Sequence, residues 1–306
     1  MHFEPLTLDA LPTLRPYFEK QPYSLSVYSL TSIMAWREAD GFEVSFAVLD
    51  GALFFSGERG DRPGDRHLLM PLTPGRPLPP AGLAAASARL GHRSIWYAPE
   101  DYVDAFGADG VGRHFGIAER ADESEYVFLA SDLAELKGSR YAPKRNLIHQ
   151  FEAEYVATGR ASVESIEPES VPDCLAFLEK WCRERDCEGT DHDALRCERD
   201  ATEKALAELH AIGERGVAVC VDGAVAGFGI GARVNDEMGA LHFEKAFSRL
   251  KGLYQYLDRE CARRLFAGRF KYVNKEGDMG LPGLAKAKKS YFPVRRIRSF
   301  SLVLKG

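Results

Sequence analysis

Two stretches of this chain read alike at an offset of 160 residues: Phe3-Glu-Pro-Leu-Thr-Leu-Asp-Ala-Leu-Pro12 lies over Val163-Glu-Ser-Ile-Glu-Pro-Glu-Ser-Val-Pro172, and each runs into an apolar helical pattern. A second correspondence follows in the same order, VSFAVLDGALFFSG around Asp50-Gly51 and VAVCVDGAVAGFGIG around Asp222-Gly223, the turns standing 172 residues apart. Asp-Gly between alternating apolar runs is a strong hairpin signal, because both residues tolerate positive φ. Self-similarity that recurs in the same order at a long offset is the mark of a repeated structural unit. Two similar lobes are therefore expected, residues 1–160, ending in a basic linker helix, and residues 161–306.

Local patterns fill in the lobes. Asp9 is placed to cap a helix over residues 9–20 that carries Leu11, Leu14 and Phe18, and residues 24–37 read as another helix. Strands are expected at 43–49, 52–56, 66–71, 94–97 and 125–129, and helices at 81–90 and 99–106, with a Pro/Gly-rich loop at 73–80. This alternation of strands and helices gives an α/β (α+β) fold. Residues 131–158 begin as a loop and become a long amphipathic helix, with Lys137, Arg140, Lys144, Arg145 and His149 near its start. Such a cluster is either a solvated face or a phosphate or nucleic-acid contact.

No run approaches the ~20 consecutive apolar residues that span a bilayer, and MHFEPLTLDALPTL has acids where a secretory leader needs a basic region. A cytoplasmic location is expected. The six cysteines suggest no disulfide framework, and Cys182, Cys187, His192 and Cys197, each five from the next, do not match the paired spacing of structural zinc sites. No metal is expected. From residue 240 onward there are 16 Lys+Arg against 5 Asp+Glu, so a net +11 here stands against −16 in the remainder of a chain whose total is −5. The C-terminal part faces an anionic partner or neutralises the acidic remainder.

The segment from Gly239 to Pro293 concentrates the chemistry. Alternation in Leu241-His-Phe-Glu-Lys245 puts His242 and Glu244 on one face of a strand and Leu241 and Phe243 on the other. A second strand, Lys271–Glu276, carries Asn274 and Glu276 on one face, where they are candidates to orient a substrate amine. Between them Ser248-Arg-Leu-Lys-Gly252 opens a helix whose free amides, with Arg249 and Lys251, suit a phosphate. Glu244 is an acid on the strand before this turn and can act there as a base. The competing reading pairs Glu244 with a nearby cation in the sheet and makes His242 an interior hydrogen-bonded residue. No Walker loop, dinucleotide fingerprint or Ser-His-Asp ordering is legible, and GFGIG at 227–231 falls inside a hairpin strand, where glycine serves close backbone approach or a bulge.

This order of elements resembles the acyl-CoA N-acyltransferase (GNAT) domains. Arg249-Leu-Lys-Gly252-Leu-Tyr254 matches the first two positions of their Q/R-x-x-G-x-G/A turn and departs at Tyr254. The runs HFEKAFSRLKGLYQYLDRE and YVNKEGDMGLPGLAKAKKSYFP resemble a bacterial family related to the C-terminal domain of phosphatidylglycerol lysyltransferase, built from two GNAT-like halves. Gly283, Leu284, Lys288 and Tyr291 also match the G-L-x-x-F-K-x-x-F motif of Fem-type aminoacyltransferases, with Ala287 departing. The resemblance implies that Lys288 contacts the donor's phosphate or the oxyanion, that Tyr291 lies on the substrate side, and that Glu198 lines the cleft. It implies a transferase taking an acyl or aminoacyl group from acyl-CoA or aminoacyl-tRNA to an amine or hydroxyl, with a small molecule or lipid headgroup as acceptor. A tRNA would lie on residues 137–149 and the basic C-terminal part, whose positive surface Arg295, Arg296 and Arg298 extend as steering or solvated charges. The flippase domain that accompanies the lysyltransferases is not among these residues, which is an expectation against a lipid acceptor. Tyr254 raises the alternative of a non-catalytic binding module on the same fold.

Overall fold

The computed structural model describes residues 2–39, 42–59, 66–185 and 193–306. The first part runs β1 (Glu4–Pro5), α1 (Leu11–Phe18), α2 (Leu30–Trp36), β2 (Phe42–Leu49), β3 (Ala52–Arg59), β4 (His67–Leu69), α3 (Pro80–Arg89), β5 (Ser94–Pro99), α4 (Glu100–Phe106), α5 (Ala108–Gly112) and β6 (Phe115–Glu119). After β7 (Glu125–Leu129), α6 (Ala130–Glu135) and α7 (Ala142–Phe151), the second part runs β8 (Ala161–Ser165), α8 (Val171–Arg185), α9 (Asp193–Ile212), β9 (Arg215–Val221), β10 (Ala224–Arg233) and β11 (Met238–Ala246). It closes with α10 (Leu253–Cys261), β12 (Tyr272–Asn274), α11 (Pro282–Lys289), β13 (Arg295–Ile297) and β14 (Ser299–Leu304).

These strands form two seven-stranded mixed sheets, ordered β1-β2-β3-β4-β5-β14-β6 and, from the equivalent edge, β8-β9-β10-β11-β12-β7-β13. In each sheet the first five positions are consecutive strands of one repeat, and the fourth and fifth, β4/β5 and β11/β12, are its parallel pair. The sixth position is filled from the other repeat. Strand β14 inserts antiparallel between β5 and β6, and β7 inserts antiparallel between β12 and β13. Each sheet thus takes one strand from the other half of the chain, and α6 and α7 accompany β7 into the core of the second sheet.

Both expected hairpins form, and Asp50, Gly51, Asp222 and Gly223 all have positive φ, as a two-residue turn matched to strand twist requires. Asp9 does not cap a helix: it lies in a 3-10 turn at Leu8–Ala10, and α1 starts at Leu11. Helix α2 is shorter than expected because Ser29 has extended backbone geometry and its side chain accepts from Ser32 N, ending the helix N-terminally at Leu30. The strand expected over 271–276 ends at Asn274, since Glu276 has φ +60°. Strands β6, β13 and β14 were not legible in the sequence.

One apolar cluster lies against each sheet. Met238 and Ala240 belong to the cluster of the first sheet, whereas Leu241 and Phe243 of the same strand belong to the second. Strand β11 therefore runs from one core into the other, which sets its middle residues at the junction.

Candidate active site

Strands β11 and β12 pair only over Met238–Ala240 and Tyr272–Asn274. Beyond Asn274 the chain turns to the neighbouring strand: Lys275 N donates to Tyr126 O at 2.9 Å and Tyr126 N donates to Glu276 O at 3.1 Å. Strand β11 continues to Ala246, so a wedge opens between its second half and residues 275–277. Across from His242 the β10/β11 register shifts between Ile230 and Gly231, the signature of a bulge. The glycines at 227, 229 and 231 allow close approach, since Cβ atoms there would overlap Ala246, Cys261 and Phe266.

The bulge overturns the expected arrangement of faces. Glu244 points to α10, where Cys261 and Leu241 also meet at Gly229, while His242 reaches Ser29 at the start of α2 and Phe243 stacks on Trp36 of the same helix. His242 and Glu244 therefore lie on opposite sides of the strand. One extra residue in a pleat inverts every side chain beyond it.

On the α10 side, two carboxylates share one ammonium. Lys275 Nζ lies 3.1 Å from Glu244 Oε2 and 2.7 Å from Asp258 Oδ1, the latter an ion pair without the alignment of a directed hydrogen bond. Burial pushes the Glu244 carboxyl up to about 7; Lys275 opposes the rise and Asp258 adds to it. Burial works against the Lys275 ammonium, but Asp258 and Glu244 together hold it above its ordinary range. Lys144 of α7 stands 4.1 Å over the Tyr291 ring, with its own pKa lowered by burial. Tyr291 is raised by burial and then by the nearby Asp258 and Glu244 charges. Lys288, lowered by burial, donates to the Lys275 carbonyl and, at 2.5 Å, to the Gly277 carbonyl.

On the opposite side, His242 Nδ1 lies 2.8 Å from Glu276 Oε1. Asn274 donates to Ser24 O at 3.0 Å and to Glu125, which in turn accepts from Ser26 N at 2.8 Å. Burial raises Glu125 to about 7 against the pull of these bonds. The structure thus gathers Glu244, Lys288, Tyr291, His242, Asn274 and Glu276 along the β11–β12 wedge.

The other expected residues are engaged elsewhere. Glu198 pairs with buried Lys245, whose ammonium sits 4.8 Å over Trp181. Arg249 pairs with Glu184 and stacks 3.8 Å over Phe247. Lys251 is exposed. Gly252 has φ +84° and packs on α7, where a Cβ would overlap the Leu147 carbonyl oxygen. Gly252→Ala is accordingly expected to cost about 3 kcal/mol by adding both left-handed strain and a backbone clash. Urea unfolding measures this, and a cost under about 1 kcal/mol would mean that α7 gives way easily. Within the basic stretch, Arg140 bonds Asp132 at 2.8 Å, Lys137 lies 2.7 Å from Glu135, and Arg145 donates to the Gly138 carbonyl at 2.7 Å. Cys182 and Cys197 are buried; Cys187 and His192 lie outside the described residues.

Sequence reasoning missed Lys275, Asp258, Ser29 and Glu125. Asp258 carried a usable signal: it adjoins Leu257 and precedes Cys261 by three, on the apolar side of an amphipathic helix, where an acid needs a partner. The other three become visible only when distant segments meet.

A mixed sheet whose parallel fourth and fifth strands part company, present twice with helices on its faces, defines a tandem GNAT-type fold. The chain belongs to the family described as phosphatidylglycerol lysyltransferase, C-terminal, which matches residues 24–302. A conserved protein of unknown function from Bacteroides thetaiotaomicron VPI-5482 is 27% identical with a TM-score of 0.86, each chain covering 99% of the other. The C-terminal domain of a protein described as a lysylphosphatidylglycerol synthetase, from Agrobacterium fabrum, superposes with a TM-score of 0.60 at 12% identity, over 97% of this chain and 92% of that one. A tandem GNAT protein from the clavulanic acid biosynthesis pathway gives 0.52 at 12% identity, covering 100% of this chain and 98% of the other. No curated protein matches the chain. Among the described residues no helix is long and apolar enough to cross a membrane.

Proposed function

We propose that this protein transfers an aminoacyl group from an activated ester to a hydroxyl or amine, and that the reaction takes place in the wedge between β11 and β12. The observation that carries this reading is the set of groups converging there: a carboxylate titrating near neutrality, an ammonium beside it, and a second ammonium at the mouth. Glu244 takes the proton of the attacking acceptor and returns it to the departing alcohol oxygen of the donor as the ester C–O bond breaks, a role suited to a group whose pKa lies near the working pH. Lys288 spends two of its three N–H bonds on the Lys275 and Gly277 carbonyls. The third is available to the oxyanion that forms as the ester carbonyl is attacked. Tyr291 and Lys144 form the wall behind them.

An aminoacyl-tRNA donor is favoured over acyl-CoA because the turn that holds a pyrophosphate in acyl-CoA enzymes is packed under α7 at Gly252 and followed by Tyr254. The family's name supports a lysyl group and a phosphatidylglycerol hydroxyl as its first candidates. Residues 137–149 and the basic C-terminal part would carry the tRNA backbone, and the protein works where charged tRNA is found, in the cytoplasm. The test follows label from lysyl-tRNA into lipid in the presence of phosphatidylglycerol vesicles, with acetyl-CoA plus amine as the competing assay. Transfer is expected to fall about 10²-fold or more in Glu244→Gln and in Lys288→Met, and tRNA binding to weaken steeply with salt. Salt-independent acyl transfer from the CoA ester would sink the tRNA donor. Ligand binding without any transfer would favour the non-catalytic module.

A further inference from the structure

Ser29, His242 and Glu276 come from three distant parts of the chain and meet in one hydrogen-bonded line. His242 Nε2 lies 2.6 Å from Ser29 Oγ, and Nδ1 lies 2.8 Å from Glu276 Oε1. A carboxylate accepts, so Nδ1 is the donor toward Glu276, and Nε2 shares the other bond with the Ser29 hydroxyl, which can donate or accept. Ser29 is itself fixed, because its oxygen accepts from Ser32 N at 3.0 Å as the cap of α2.

The line has a buried end and an open end. Ser29 is fully buried and the His242 side chain is 0% exposed, while the Glu276 side chain is 35% exposed. Glu276 is held in the left-handed region at φ +60°, unusual for a residue with a side chain. Its backbone N donates to Asn274 Oδ1 at 2.8 Å and its carbonyl accepts from Tyr126 N. A conformation this constrained, at the mouth of a wedge, is where strain accompanies function. Among the described residues Glu276 Oε2 takes no other hydrogen bond.

We propose that Ser29 and His242 form a positioning relay that fixes Glu276 so that its outer carboxylate oxygen receives a primary ammonium group of the substrate. The inference rests on the wedge being the site of the aminoacyl transfer proposed above, and what it adds is which side chains hold the free amine and keep its partner in place. His242 is a positioning residue, acting only through Glu276. The distances also match those of a nucleophilic serine triad, but Ser29 Oγ lies beneath α2 and His242, out of reach of a substrate.

The test is binding, read without turnover. Imidazole nitrogen NMR follows His242 while alanine methyl ester is titrated, with N-acetylalanine methyl ester as the control that lacks an ammonium. The ammonium ester is expected to shift the His242 resonances and the acetylated ester to leave them in place. His242→Asn keeps an N–H at the Nδ1 position but gives up the bond to Ser29, and is expected to bind less well than wild type and better than His242→Gln. His242→Gln keeps a polar group only beside Ser29, and with Glu276→Gln it is expected to weaken binding about tenfold. Thermal unfolding of each variant separates this from damage to the fold. Equal loss in the Asn and Gln variants, resonances indifferent to the amine, or labelling of Ser29 by a fluorophosphonate would each overturn the relay. A protein that binds the amine in this pattern yet transfers nothing would leave the relay standing and remove the transfer reading.

Discussion

Expressed separately, residues 1–160 and residues 161–306 are expected to give no cooperatively unfolding protein, and co-expressed they are expected to associate into one that does. The N-terminal fragment would lack β14, which lies between β5 and β6 and buries Ser299 and Leu302 completely. The C-terminal fragment would lack β7, which separates β12 from β13 and carries Tyr126, Val127 and Phe128, each at most 1% exposed. Each large apolar side chain buried this fully contributes about 2–3 kcal/mol, and every removed strand also leaves two neighbours with unpaired edges. Against a typical total of about 5–15 kcal/mol, that loss is the whole stability. Near-UV circular dichroism and thermal melts decide it: a native-like cooperative melt from either fragment alone would sink the expectation.

Lys275→Met is expected to destabilise the intact chain by about 3–5 kcal/mol at neutral pH, because it leaves Glu244 and Asp258 buried without their shared cation. The loss should depend on pH with a definite sign. Glu244 has a folded pKa of about 7 against an ordinary 4.5, so its ionisation opposes folding. Its contribution is fully favourable below about 4.5 and is lost as pH rises through 7, a swing of about 3 kcal/mol at most. Without Lys275 the swing deepens, so the variant should lie closest to wild type near pH 4.5 and furthest from it near pH 8. Urea titrations at the two pH values measure this. An equal deficit at both would mean that the lysine acts through packing rather than charge. Adding Glu244→Gln to the variant should flatten its pH dependence.

The duplicated plan was legible because it rests on local chemistry. The Asp50-Gly51 and Asp222-Gly223 turns and the strand at 125–129 depend on neighbouring residues, and all three form as expected. Glu244 was singled out by its place on a strand and Lys288 and Tyr291 through the resemblance to a family motif, and the fold brings the three together around Lys275. What the residues could not disclose was partner choice over long range. Nothing local in the three residues Arg295–Ile297 or in Ser299–Leu304 says which sheet receives them. The alternation rule failed at His242 because it assumes an unbroken pleat, and the glycines opposite gave the one hint of a bulge. The phosphate turn was read from backbone chemistry alone, whereas Gly252 packs against α7 and the amides of Leu250 and Leu253 already donate to the carbonyls of Phe247 and Leu250.

The exchange of β7 and β14 also limits how this molecule can move. In a protein whose two lobes are joined by one linker, a ligand can be admitted by swinging the lobes apart about that hinge. Here the chain crosses between the two sheets twice, from β6 to β7 and from β13 to β14, so two crossings restrain their separation where a single linker would leave one hinge. The sheets are laced together by these two crossings, and neither can swing away about a single point of the chain.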